Sequence, residues 1–141
     1  MGKYKADLPL DKALQELDLE GELREISIGG REGLGEFLAT ESKKRAPRDK
    51  GTLEDNIGWE LVSPRSVEIY SGARSDEGEL YAAEIHERTD YNLGPRSLEK
   101  QAGQTEMVGP KYLSRAADDN MDKFGSVFLE GAEKRTRNRN A

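Results

Sequence analysis

GELREISIGGREGLGEFLATESKKRAP (21–47) is the stretch on which the fold turns. Its first third sets Leu23, Ile26 and Ile28 among Arg24 and Glu25 in strand fashion and closes on the pair Gly29–Gly30. From Gly33 to Arg45, Leu34, Phe37, Leu38 and Glu41 follow the 3–4 step of a helix. Lys43, Lys44 and Arg45 suit the C-terminus of that helix, and Pro47 stops it. The stretch therefore predicts a strand, a glycine joint and a helix. The joint, GGREGLG (29–35), invites comparison with a dinucleotide-binding turn, but its order is G-x-x-G-x-G, where that turn needs G-x-G-x-x-G. It also lacks the G-K-[ST] of a phosphate-binding loop, so it reads as a flexible connection.

Downstream, RAPRDKGTLEDNI (45–57) is a punctuation mark: a basic helix end, a turn marked by Pro and Gly, then an entry into something apolar. NIGWELV (56–62) puts Ile57, Trp59 and Leu61 on one face, SPRS (63–66) reads as a turn, and SVEIYSG (66–72) alternates Val67 and Ile69 with Glu68 and Tyr70. Together they predict a β-hairpin. ARSDEGE (73–79) is a polar loop, and LYAAEIHE (80–87) is a third core element, strand or short helix. Residues 88–109 hold few apolar side chains and read as a long loop, a kind that is usually functional or disordered. In 109–135 Pro110 opens a long amphipathic helix with Leu113, Ala116, Ala117, Met121, Phe124, Phe128 and Ala132 in one stripe. A basic, flexible tail (136–141) follows.

Upstream, residues 1–8 read as a loose arm, and Leu10, Leu14 and Leu17 recur at helical spacing over 9–18. The division is therefore an N-terminal arm or short helix (1–20), one domain (21–135) and the tail. The fold class is α+β: a small antiparallel sheet covered on one face by a long C-terminal helix and a shorter N-terminal one, whose stripes cover an apolar sheet face.

Composition narrows the functions. At 141 residues the chain suits one domain, and with 34% hydrophobic against 35% charged residues the core must be modest. The 28 Asp and Glu outnumber the 22 Lys and Arg, which argues against a general nucleic-acid binder, since such binding depends on many cationic phosphate contacts. With no cysteine there is neither a disulfide framework nor a thiolate metal site. The longest apolar runs are a few residues, so no membrane span is expected. The N-terminal twenty residues lack the apolar centre of a signal peptide, and Lys5–Ala6 does not suit myristoylation of Gly2. These point to a soluble, intracellular product.

Candidate chemistry is sparse. His86 is the single histidine, with Glu84 and Glu87 beside it, but HERTD is not H-E-x-x-H and no further ligands stand at suitable spacing. Asp118, Asp119 and Asp122 fall on a helix surface and read as a solvated face. Glu54 and Asp55, adjacent at a strand entry, would point apart and make a poor acid–base pair. Lys134, Arg135, Arg137 and Arg139 could touch nucleic acid, or simply place cations after a helix C-terminus. No catalytic residue, cofactor or metal ligand is assigned.

Three fragments in register carry a resemblance. A-P-x-D-x-G-x-L-x-x-x-I (46–57), Y-A-A-E-I-H-E (81–87) and G-P-K-Y-L-x-x-A (109–116) resemble, in that order, the small neck or tail-completion proteins of long-tailed bacteriophages, also labelled minor capsid or minor tail components. The resemblance covers roughly residues 22–135. It departs at Lys50, Asn56 and Arg88, where the family usually has Thr, Ser and Gly. It implies a structural turn at Pro47, Asp49, Gly51, Leu53 and Ile57. It implies a core motif at Tyr81, Ala82, His86 and Glu87, with His86 ending a core strand, and a helix start at Gly109, Pro110, Tyr112, Leu113 and Ala116. It further implies a non-enzymatic virion protein that joins head to tail as a homo-oligomeric ring, hexamer or dodecamer. Such a ring would contact connector and tail proteins while DNA passes an acidic lumen without sequence-specific binding. The alternatives are the tail-tube terminator of the same assembly, or a small ligand-binding or enzymatic domain. Leu10, Leu14 and Leu17 of the arm and Tyr91, Leu93, Leu98 and Met107 of the long loop are the candidate interface, because isolated apolar residues in polar segments gain order by burial against a partner.

Overall fold

The computed structural model describes residues 3–5, 22–48, 52–63, 66–72, 82–89 and 92–139. Leu10, Leu14, Leu17, Asp49, Gly51, Tyr81 and Tyr91, with the helix expected over 9–18, lie outside the described residues. The elements run β1 (Tyr4–Lys5), α1 (Glu22–Arg45), α2 (Thr52–Asp55), β2 (Ile57–Ser63), β3 (Ser66–Ser71), α3 (Ala82–Glu87), α4 (Pro95–Ala102), α5 (Tyr112–Asp118), a 3-10 turn (Met121–Lys123) and α6 (Phe124–Arg139). The class is α+β: a three-stranded antiparallel sheet in the order β1-β3-β2, with helices against it.

The strand expected over 21–30 does not form. Residues 22–45 make one helix of 24 residues that runs through Gly29, Gly30, Gly33 and Gly35. Each glycine weakens a helix interior by roughly 1 kcal/mol relative to alanine, so the cost has to be offset by packing. The packing partner is α6, which lies antiparallel along α1. A Cβ on Gly29 would come within 2.7 Å of the Gly131 carbonyl oxygen, and one on Gly131 within 2.3 Å of the Gly29 carbonyl oxygen. At Gly30 a Cβ would meet the Phe128 ring at 2.4 Å, and at Gly35 the Trp59 indole at 2.6 Å. The glycines are places where a backbone or a ring lies flush against α1, not a joint. Arg135 closes the far end of the seam on Glu25 (2.7 Å) and Glu32 (3.2 Å).

The hairpin forms as expected, with Ile57 opposite Ser71, Trp59 opposite Ile69 and Glu60 opposite Glu68. Its inner face, Ile57, Trp59, Leu61, Val67 and Ile69, packs on Leu34 and Leu38 of α1, with Phe124, Val127 and Phe128 of α6 against the same cluster. Arg31, inside the supposed joint, is buried and holds the hairpin end: its guanidinium donates to the carbonyl oxygens of Ser63 (2.7 Å) and Ser66 (3.1 Å). The residues expected as a loose arm supply a third strand, β1, at the outer edge of β3.

The long C-terminal helix is broken. It starts at Tyr112, after Lys111 in a left-handed conformation (φ 58°), so Pro110 precedes the helix instead of opening it. α5 ends at Asp118, where the buried Asn120 donates its side-chain amide to the Ala116 carbonyl (2.8 Å) and reaches Glu41 (3.3 Å). That side chain takes the carbonyl a continuing helix would have given to a backbone N–H. The two covering helices thus exchange lengths, 24 residues for α1 against 16 for α6. Within the expected stripe Leu113, Ala116, Ala117 and Ala132 are buried, whereas Met121, beside the break, is 53% exposed. The tail expected to be flexible from 136 is helical to Arg139. The loop expected over 88–109 contains the eight-residue helix α4.

Candidate functional site

The three sequence fragments meet in one place. Leu53 and Ile57 from the first, Ala82 from the second, and Tyr112 and Leu113 from the third all belong to the buried core; Ala116 is buried too. Backbone hydrogen bonds join the third fragment to the second, Lys111 N–H to the His86 carbonyl (2.6 Å), and to the end of α1 just ahead of the first, Gly109 N–H to the Arg45 carbonyl (2.9 Å). The Tyr112 hydroxyl donates to the Ala82 carbonyl (3.2 Å) and can accept from Ser71 Oγ (3.1 Å), tying the third fragment to the sheet and to the second.

His86 lies where the second and third fragments meet, wholly buried, in the last turn of α3 and not at the end of a strand. Its ring lies between those of Tyr4 (centroids 4.9 Å) and Tyr112 (5.0 Å, edge-on). Nε2 faces the Ser114 N–H at 3.4 Å and so acts as the acceptor, which places the proton on Nδ1, 2.9 Å from the Glu87 carboxylate. Tyr4 and Lys111 also donate to that carboxylate. Burial pushes the His86 pKa below its ordinary value, and Glu87 opposes the shift only in part. Hydrogen bonds from Lys111, Tyr4 and His86 hold Glu87 down at about 2. The arrangement is a neutral imidazole pinned on both nitrogens beside a fixed carboxylate, and its wholly buried ring offers no face to a substrate.

The turn fragment has its own support, which the sequence did not reveal. Ser97 of α4 brackets Arg48, accepting from its N–H (2.7 Å) and donating to its carbonyl (2.9 Å). Lys100, its side chain 5% exposed, donates to Glu54 (2.7 Å) and to the Ala46 carbonyl (2.6 Å). Arg48 holds Glu54 from the other side at 2.8 Å. Burial would raise the Glu54 pKa, but the two cations outweigh it and the net shift is downward. Glu54 is therefore a structural anion on a short helix, and Asp55 beside it is exposed. At the end of α1, Arg45 is buried between Glu41 (3.0 Å) and Asp119 (3.1 Å), so one of the acids read as a solvated face is a structural partner.

Of the candidate interface residues, Leu98 and Met107 are exposed at 56% and 68%, and Leu93 is half-buried. Leu23, Val62 and Leu129 add further exposed apolar side chains. Among the described residues no three His, Asp or Glu side chains come together as a metal-binding set. Arg135 and Arg137 of the basic tail are engaged with Glu25, Glu32 and Glu133. Spacing signals were present for part of this: Gly29 and Gly33 stand one helical turn apart, and Arg31 lies on the same helix. Comparison of the chain with protein-family models, with curated proteins and with solved structures finds no match.

Proposed function

We propose that this chain is a structural virion protein of the phage neck, acting in head-to-tail joining as a homo-oligomeric ring around the DNA channel. The observation that carries the proposal is the convergence of the three fragments of the resemblance: segments dozens of residues apart share one buried core. The core is built for rigidity, with its histidine sealed and its carboxylates neutralised by cations, which suits a part that bears load and performs no chemistry. Leu98 and Met107 offer apolar contact area outside the core for neighbouring subunits or connector proteins. The net charge of −6 suits a channel along which DNA slides. The assembly, its location in the virion and the absence of enzymatic activity belong to this reading.

A genome deleted for this gene tests it. The joining role requires filled heads and free tails of normal length, and restored joining when the purified protein is added. Tails of irregular length would assign the protein to tail termination instead. Normal infectious particles would remove both readings and leave a small ligand-binding or enzymatic domain.

A further inference from the structure

The edge of β3 that receives β1 is a small, specific recess. β1 contributes only two backbone pairs, Tyr4 with Ser71 and Lys5 with Tyr70. On the outer face Glu60 and Glu68 oppose each other directly across β2 and β3, a like-charge pair that is unfavourable unless countered. Lys3 and Lys5 counter it, Lys3 at 3.4 Å from Glu60 and Lys5 at 2.5 Å from Glu68. Lys3 also stands 4.3 Å over the Tyr70 ring, which itself lies across Gly58, where a Cβ would meet the Tyr70 hydroxyl at 2.6 Å. On the inner face Tyr4 reaches His86 (3.1 Å) and the Glu87 carboxylate. An acidic pair, an aromatic shelf and an inward hydroxyl socket thus read the tripeptide Lys3-Tyr4-Lys5.

These contacts fall on β2, β3 and α3, while the covalent connection to the rest of the fold runs through residues 6–21 to the start of α1. That length of chain can span up to about 50 Å when extended, several times the radius of gyration of about 13–15 Å expected of a domain this size. A neighbour's recess is therefore within range as well as the chain's own, and an exchange preserves every contact. We infer that the β3 edge is an exchange site that takes the N-terminal strand of a second copy of this chain. The inference stands independently of the virion reading, since it needs only two copies.

The chain has no cysteine, which permits a clean test by disulfide trapping. Two differently tagged copies are co-expressed, one carrying Lys5→Cys and the other Tyr70→Cys, and oxidised mildly. Exchange predicts a disulfide-linked dimer containing both tags, and its loss when Glu68→Lys is added to the Tyr70→Cys copy. The pair Tyr4→Cys with Ser71→Cys, the other backbone pair of the edge, repeats the test should Tyr70→Cys fail to fold. Pairing of Lys5→Cys with an exposed Val62→Cys controls for collision. If the mixed-tag dimer is missing from both pairs, or forms as readily with Val62→Cys, the strand serves its own chain and the inference is overturned.

Discussion

Gly131 stands where a methyl group does not fit, 2.3 Å from the Gly29 carbonyl oxygen, whereas a Cβ on Gly125, six residues earlier in the same helix, would meet nothing within 4 Å. Gly131→Ala should force α1 and α6 apart and destabilise the fold by about 1–3 kcal/mol, as overpacking does. Gly125→Ala should be neutral or slightly stabilising, because the helix gains propensity without a clash. Thermal melting of both variants checks the seam; equal melting temperatures would contradict it. His86 sets a second expectation at this scale. Its pKa is lowered by burial, so the unfolded chain takes up a proton at a higher pH than the folded one does. Stability is therefore complete above the unfolded value of 6.5 and falls as pH drops below it. Glu87, held at about 2, adds a separate loss only below its unfolded value of 4.5. Melting temperatures measured from neutral pH down to about 5 should decline for the wild-type chain and stay nearly flat for His86→Gln. Parallel slopes would show that His86 does not titrate as described.

At the scale of elements, α4 is held by few groups. Ser97 and Lys100 fix it to the carbonyls and acid of the turn fragment, while Leu98 faces outward. Ser97→Ala should cost about 0.5–1.5 kcal/mol and raise amide exchange over 95–102 while leaving α1 protected. Unchanged exchange in α4 would mean that these bonds do not hold it. This helix was illegible in the sequence because its anchors are polar: pattern reading looks for an apolar stripe, and the one large apolar residue of PRSLEKQA, Leu98, is exposed. The hairpin was legible because β-branched and aromatic residues alternate on both strands and one face is buried. α1 was misread in its first half for a related reason. Glycines usually mark joints, yet four of them in α1 are selected by the backbone and rings that press on them, information carried for Gly29, Gly30 and Gly33 by residues of α6 and for Gly35 by Trp59. The break at Asn120 was hidden likewise, since the apolar stripe runs on across it and the interruption comes from the Asn120 side chain, which takes the Ala116 carbonyl and reaches Glu41. His86 and its neighbours were singled out by the resemblance, whereas Tyr4, which completes the cluster, lay in a segment read as a loose arm.

For the whole molecule, the α+β class and the shared core of sheet and helices follow from the same few apolar stripes that the sequence displays. Among the described residues no helix is long and apolar enough to cross a membrane. On the proposed reading, the exposed Leu98 and Met107 are covered by neighbouring subunits or connector proteins. Leu98→Asp with Met107→Asp should leave the melting temperature within about 2–4 °C of the wild-type value, since surface changes rarely exceed about 0.5 kcal/mol. The same pair should weaken ring formation in light scattering; an unchanged oligomer mass would place the interface elsewhere. The decisive measurement is a density map of the virion by electron microscopy, with this chain traced in it. The account predicts a closed ring of copies at the head-to-tail joint, the α1–α6 pair intact and Leu98 and Met107 covered by neighbours. A particle in which the chain occupies no position at that joint would contradict it.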